Sequence, residues 1–242
     1  MMQSPLANIP PVVKNLLIIN VLCFLPSLFY SHGFSTGADP IAALFGVYYF
    51  SSPNFRIWQV ITHMFIHGGW AHIFFNMFAL YSFGTAVEYI MGSKRFFNFY
   101  FICGLGAIGL QMLVQAIEVH AITGSFTLAQ PELEASYLQY GAQAQKLFDI
   151  YHAPMVGASG AIFGVLIAFG MIYPNAELML LFIPVPVKAK YIIPVYVLIE
   201  LSLGVGQFGG DNVAHFAHLG GAILGFILVK AWKLQGPKNF YN

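Results

Sequence analysis

Charged residues are too scarce in this chain to cover a water-facing surface. They make up 8% of its 242 residues, against about 25% in soluble globular domains. Hydrophobic residues make up 58%, and mean hydropathy is +0.73. Most of the molecule's solvent must therefore be lipid, and the apolar runs must satisfy their own backbone polar groups. In hydrocarbon that leaves helices or a closed barrel. The runs are of helix length, so we expect an all-α membrane protein. The formal net charge of +1 and the lack of a basic patch interleaved with aromatics exclude a nucleic-acid partner. Cys23 and Cys103 both sit in apolar runs and form no metal spacing or disulfide framework, so they read as small core residues.

Six spans are expected, at residues 16–30, 70–91, 96–117, 155–173, 191–205 and 212–232, in a single domain with a core over 12–232. About 20 residues suffice to cross a 30 Å hydrocarbon core. Pro26 and the lack of a small-x-small site argue that the first run is an uncleaved span. Residues 31–69 are apolar but broken by glycines and prolines and rich in aromatics. They suit a first outer loop embedded at the interface beside the bundle. Residues 118–155 form a long outer loop, with a short amphipathic helix expected within 131–151. The apolar stretch 178–187 carries Pro184 and Pro186 and reads as an interfacial connection. With this topology Lys14, Lys94, Arg95, Lys188, Lys190, Lys230, Lys233 and Lys238 share the side of the termini, and only Arg56 and Lys146 lie opposite. The positive-inside rule then makes tails 1–11 and 233–242 cytoplasmic.

Each polar group within a span needs a reason, because polar groups are costly in hydrocarbon. His72, Asn76, Ser159 and His218 all fall toward the outer ends of spans. His72 and Asn76 are one turn apart and share a helix face. Ser159 opens the fourth span among Gly157, Gly160, Ala161 and Gly164, and His218 lies about two turns into the sixth beside Gly221 and Gly225. Small-residue faces of this kind serve helix packing without any chemistry. Packed on each other, they would also bring an imidazole base to a serine nucleophile. A helix N-terminus beside the serine would favour an oxyanion. Asp211 is too far along the chain to orient His218, which points to a dyad. Glu200, deep in the fifth span, reads as a structural residue of unknown partner, and Glu88 as pairing with loop backbone or Arg95.

The motifs His72-x-x-x-Asn76, Gly157-Ala158-Ser159-Gly160 and Ala217-His218-Leu219-Gly220-Gly221-x-x-x-Gly225 together resemble the rhomboid family of intramembrane serine proteases. Thr62-His63, His67 and Ala86-Val87-Glu88 add to the likeness, which covers most of the chain from Leu16 to Trp232. The resemblance implies a six-helix bundle with a water-filled cavity, cleaving transmembrane protein substrates within the lipid bilayer. It implies Ser159 as nucleophile and His218 as general base, with His72, Asn76 and the Ser159 backbone N–H as the oxyanion hole. The chain departs from the family where many members carry Trp-Arg in the first outer loop, since it has Trp58-Gln59. A looser loop would follow. Phe163 stands where some members have a tyrosine stacked on the histidine.

His215 does not fit the His-x-x-Gly-x-x-x-Gly pattern as His218 does, so it is not expected to be the base. His63, His67 and His72 lack a completing Cys or carboxylate, so no metal is expected, and no cofactor. A bacterial inner membrane is the expected location. Two other functions fit parts of the sequence: an inactive rhomboid-like protein that binds membrane clients, and a transporter or channel. A transporter would show an inverted repeat, which the sequence lacks.

Overall fold

The computed structural model describes residues 8–29, 39–131, 133–180, 183–206 and 214–236. In order, α1 is Pro11–Phe29, α2 Pro40–Phe45 and α3 Gln59–Thr62, followed by a 3-10 turn at His63–Phe65. Helix α4 (Trp70–Ala79), a π-helical turn (Leu80–Gly84) and α5 (Thr85–Met91) run on without a break. Then come α6 (Ser93–Thr123), α7 (Ala135–Leu138), α8 (Ala144–His152) and α9 (Ser159–Ile172). Strands β1 (Glu177–Leu180) and β2 (Ile183–Lys188) precede α10 (Ala189–Gly206) and α11 (His215–Ala231).

Four stretches are long and apolar enough to cross a membrane: Pro11–Leu28, Trp70–Met91, Ser93–Thr123 and Ala189–Gly206. Helices α9 and α11 are apolar but shorter. The outward side chains of the long helices are Leu22, Phe74, Phe78, Leu113, Leu198 and their like, all exposed. An apolar surface of that extent belongs in lipid, and the chain is an integral membrane protein.

The all-α expectation fails at residues 177–188. There β1 and β2 form an antiparallel hairpin, pairing Glu177 with Lys188 and Leu178 with Val187. Strands of 4 and 6 residues are far short of the 9–11 a spanning strand needs. The prolines explain the choice, because they break a helix yet are tolerated in a two-stranded edge. Helix α6 outlasts its expected end at residue 117. Its last turns bury Val119 in a second cluster with Tyr49, Tyr137, Leu147, Ile150 and Tyr151, from the loop between α1 and α4, α7 and α8. Gly124 closes α6 in the left-handed region at φ 76°. The amphipathic helix expected within 131–151 is met by α7 and α8, which turn Tyr137, Leu147 and Ile150 inward.

Helix α9 is the centre of the bundle, buried along nearly its whole length. Apolar burial against lipid gains little from the hydrophobic effect, so helix association here depends on close contact. Glycines supply it. A Cβ on Gly221 would strike the Gly160 carbonyl, and one on Gly225 would lie 2.7 Å from the Gly164 backbone. A Cβ on Gly220 would lie 2.5 Å from the Gly106 carbonyl of α6. Helices α6, α9 and α11 are thus locked together at backbone distance.

Two polar devices hold the periphery. Glu88 is buried at the end of α5, and its carboxylate accepts the Val12 and Val13 N–H groups at 3.0 and 2.7 Å and the Ser93 hydroxyl at 2.7 Å. It thereby caps α1, whose first N–H groups have no partner within the helix; where loop backbone or Arg95 was expected, the carboxylate is held by helix backbone and a serine hydroxyl. In the loop between α1 and α4, Gln59 does not leave the segment loose. Its Nε2 donates to Leu44 O (3.3 Å) and Asn54 O (3.1 Å), and its Oε1 accepts from Arg56 N (2.8 Å). Residues 30–38 of that loop lie outside the described residues.

His63 and His67 are buried in the same loop. Burial lowers His63 to a pKa of about 4, against weaker opposing backbone bonds. Burial, and next the neighbouring His72, lower His67 to about 3. The ordinary value is about 6.5, so the unfolded chain binds more protons than the folded one below that pH. Stability is then full above about pH 6.5 and declines as pH falls toward 4 and 3, on the order of 2 kcal/mol from His63 alone by pH 5. Thermal unfolding in detergent should show this loss between pH 7 and 5, and the slope should flatten in His67→Phe, which cannot take up a proton. A second prediction concerns the helix contact. Gly221→Ala should cost about 1–3 kcal/mol, because backbone cannot rotate away. Gly109→Ala, whose Cβ meets nothing within 4 Å, should be neutral or slightly stabilising in the same melts.

Candidate active site

Ser159 is the first residue of α9, so its N–H has no acceptor within the helix. The strand-like segment before it is tied to the loop between α1 and α4. Met155 exchanges backbone bonds with Val47 at 2.8 and 2.9 Å, and the Gly157 N–H donates to His63 O at 2.9 Å. Gly157 sits at φ 129°, where a side chain is strained whatever the space. A Cβ there would also lie 2.8 Å from His72 Nε2 and 3.5 Å from Ser159 Oγ. This glycine therefore lets His72 and Ser159 face one small space.

His218 lies one turn into α11, nearer its start than expected, because the helix begins only at His215. Residues 212–213, the expected beginning of that span, lie outside the described residues. His218 Nε2 stands 2.8 Å from Ser159 Oγ. Phe163, one turn along α9, stacks on the imidazole with centroids 4.3 Å apart and planes 8° apart. The register follows from the glycine contacts: Gly160 and Gly221 each lie close to one of these residues and touch each other.

His72 and Asn76 are also brought to this end of the bundle. The Gly68 N–H donates to His72 Nδ1 at 3.3 Å, which leaves the ring proton on Nε2, the atom facing Gly157 and Ser159. Asn76 is buried, and its Nδ2 donates one hydrogen to His72 O at 2.9 Å. The amide's second hydrogen is left for another acceptor.

The residue that sequence reasoning undervalued is Glu200. Its Oε2 lies 2.8 Å from His218 Nδ1 and 2.7 Å from His215 Nδ1. The sequence held one clue: an acidic residue within an apolar helix, three and four residues from others of the same face. Which neighbour that face meets was not legible. Among the described residues these three groups form the one His/Cys/Asp/Glu set with ligand atoms within 4.8 Å of one another. Ligands about 2.0–2.1 Å from a tetrahedral ion stand about 3.3 Å apart, so 2.7 and 2.8 Å are spacings of hydrogen bonds.

Comparison with known proteins gives a family. The chain matches the Rhomboid domain family model over residues 54–233. It is 30% identical over 170 residues to "Rhomboid protein 1, mitochondrial" of Saccharomyces cerevisiae, covering 70% of this chain and 40% of that protein. It is 32% identical over 187 residues to "Rhomboid protease GluP" of Bacillus subtilis, covering 76% of this chain and 27% of that one. "Putative rhomboid protease YdcA" of Bacillus subtilis is 25% identical over 218 residues, covering 90% of this chain and 86% of its own length. The chain thus spans less than half the length of the first two relatives. Because the domain match runs from the loop between α1 and α4 to beyond α11 and encloses His72, Asn76, Ser159 and His218, the chain belongs to the rhomboid family.

Proposed function

We propose that this protein is an intramembrane serine endopeptidase that cleaves transmembrane segments of membrane proteins through an acyl-enzyme. The observation that carries the reading is the 2.8 Å approach of His218 Nε2 to Ser159 Oγ at the start of α9. Serine is a weak nucleophile until a base takes its proton, and a neutral imidazole suits that task. In this reading Ser159 Oγ attacks the scissile carbonyl as His218 Nε2 accepts its proton. The oxyanion receives the Ser159 N–H, the His72 Nε2–H and the second Asn76 Nδ2–H. His218 then returns the proton to the leaving amine. Water, deprotonated by the same ring, releases the acyl group. No cofactor or metal enters any step.

The proposal includes a single six-helix membrane domain in which α9 and α11 also cross the bilayer, with the first outer loop lying partly embedded. Exposed Leu44, Phe50, Ile57 and Trp58 on that loop support its embedding. Both termini would be cytoplasmic and the site would open to the outside, as the Lys and Arg distribution supports. A bacterial inner membrane is the proposed location; the relatives include bacterial and mitochondrial proteins. The retained Ser159–His218 contact favours an active enzyme over an inactive client-binding relative.

The test uses purified protein in liposomes with a single-span substrate. Ser159→Ala and His218→Ala should each lower cleavage at least about 10³-fold while the protein still folds. His72→Ala should lower kcat about 10²–10³-fold. A fluorophosphonate should label wild type at Ser159 and fail to label Ser159→Ala. Equal cleavage by Ser159→Ala would overturn the mechanism.

A further inference from the structure

We infer that Glu200 is a positioning residue for this site: its carboxylate holds His218 in the tautomer that can take the proton of Ser159, and His215 steadies that carboxylate. The inference rests on the serine-protease reading above.

One oxygen, Glu200 Oε2, faces two imidazole nitrogens, His218 Nδ1 at 2.8 Å and His215 Nδ1 at 2.7 Å. An oxygen that accepts from both rings requires a proton on each Nδ1. His218 Nε2 then carries a lone pair, and that lone pair is directed at Ser159 Oγ, 2.8 Å away. Were the proton instead on Oε2 and donated to His218, Nε2 would hold the ring hydrogen and could only donate to Ser159. A base needs the first arrangement.

The helices are built to make this contact. Glu200 is the only acidic residue of α10 and is buried at 4% exposure, whereas Leu198 and Ile199 beside it face outward. An ionisable group in such a helix is costly unless partnered. Gly204 lies one turn further on the same face. A Cβ there would stand 3.1 Å from His215 Cβ and 3.3 Å from the Phe216 ring, a tight fit that glycine relieves where α10 approaches the start of α11. His215 and His218, three residues apart on α11, share the face that α10 meets. Phe163 packs flat on His218, so the imidazole is held by a ring on its face, a carboxylate at Nδ1 and the serine at Nε2. Tyr196, one turn before Glu200, contacts Phe163 with centroids 5.1 Å apart.

The experiment compares wild type, Glu200→Gln and Glu200→Leu in liposomes. Its readouts are kcat, KM, unfolding temperature and the tautomer of His218 by ¹⁵N NMR of histidine-labelled protein. Wild type should show a protonated Nδ1 and a bare Nε2. Glu200→Gln keeps an acceptor without the charge and should lose at least about 10-fold in kcat. Glu200→Leu should lose about 10²–10⁴-fold, and its His218 should shift to the Nε2–H tautomer. KM should stay within about 2-fold, and kcat should not follow unfolding temperature across the series. His215→Ala should retain cleavage at a reduced rate. If Glu200→Leu does not fold, Glu200→Gln decides: kcat within 2-fold of wild type would overturn the inference. So would a kcat loss that tracks unfolding temperature with His218 still protonated at Nδ1. A wild-type protein that neither cleaves nor labels would overturn the protease reading instead, and the tautomer measurement would still test Glu200's hold on His218.

Discussion

The rest of this structure depends on the backbone contact between α9 and α11. Gly160 meets Gly221 and Gly164 meets Gly225 so closely that no side chain fits between them. In lipid there is little hydrophobic gain from pressing two apolar helices together, and the attraction must come from short-range dispersion over a close-fitting surface. Glycine is the residue that allows the shortest approach. The same approach sets depth. Ser159 is one residue before Gly160, and His218 is three before Gly221, so a lock at the glycines aligns serine and histidine at hydrogen-bond distance. Packing and chemistry are two consequences of one register.

Around that lock, polar groups are used sparingly and mostly at helix ends. Glu88 closes α1 and touches the start of α6. Gln59 and His63 tie the loop between α1 and α4 to itself and to the serine segment. Glu200 ties α10 to α11. Each satisfies groups that the bilayer could not. The proposed oxyanion donors fall in the same pattern, since they are N–H groups left over at a helix start and on the facing turn of α4.

Much of the candidate site was legible because its members carry unusual local signatures. Ser159 stands in a glycine-alanine run, His218 precedes spaced glycines, and His72 and Asn76 share one face of an apolar helix. Phe163 stands where the family resemblance implies an aromatic ring on the histidine, and the rings stack. Other features had no such signature. Glu200 was visible as an anomaly, yet its partners lie 15 and 18 residues further along the chain, on α11. Periodicity tells which residues of α10 share a face but not how that face is rotated toward α11. The 177–188 hairpin was missed because apolar residues with two prolines indicate an interruption without indicating its form. Gln59 was expected to loosen its loop. Its buried amide can serve two carbonyls and one N–H only because the chain folds back to within reach at Leu44 and Asn54.

What the sequence by itself determined was the solvent and the alphabet of the site. Scarce charge forces the chain into lipid, apolar runs in lipid become helices, and the polar residues that remain in them must be of use. What only the tertiary structure decided was adjacency. The join between Ser159 and His218, the turning of His72 Nε2 toward Gly157, and the choice of Glu200 as the neighbour of both α11 histidines are relations between separate helices. They are set by close packing in three dimensions, and packing depends on rotation and depth between helices, which no one-dimensional period encodes.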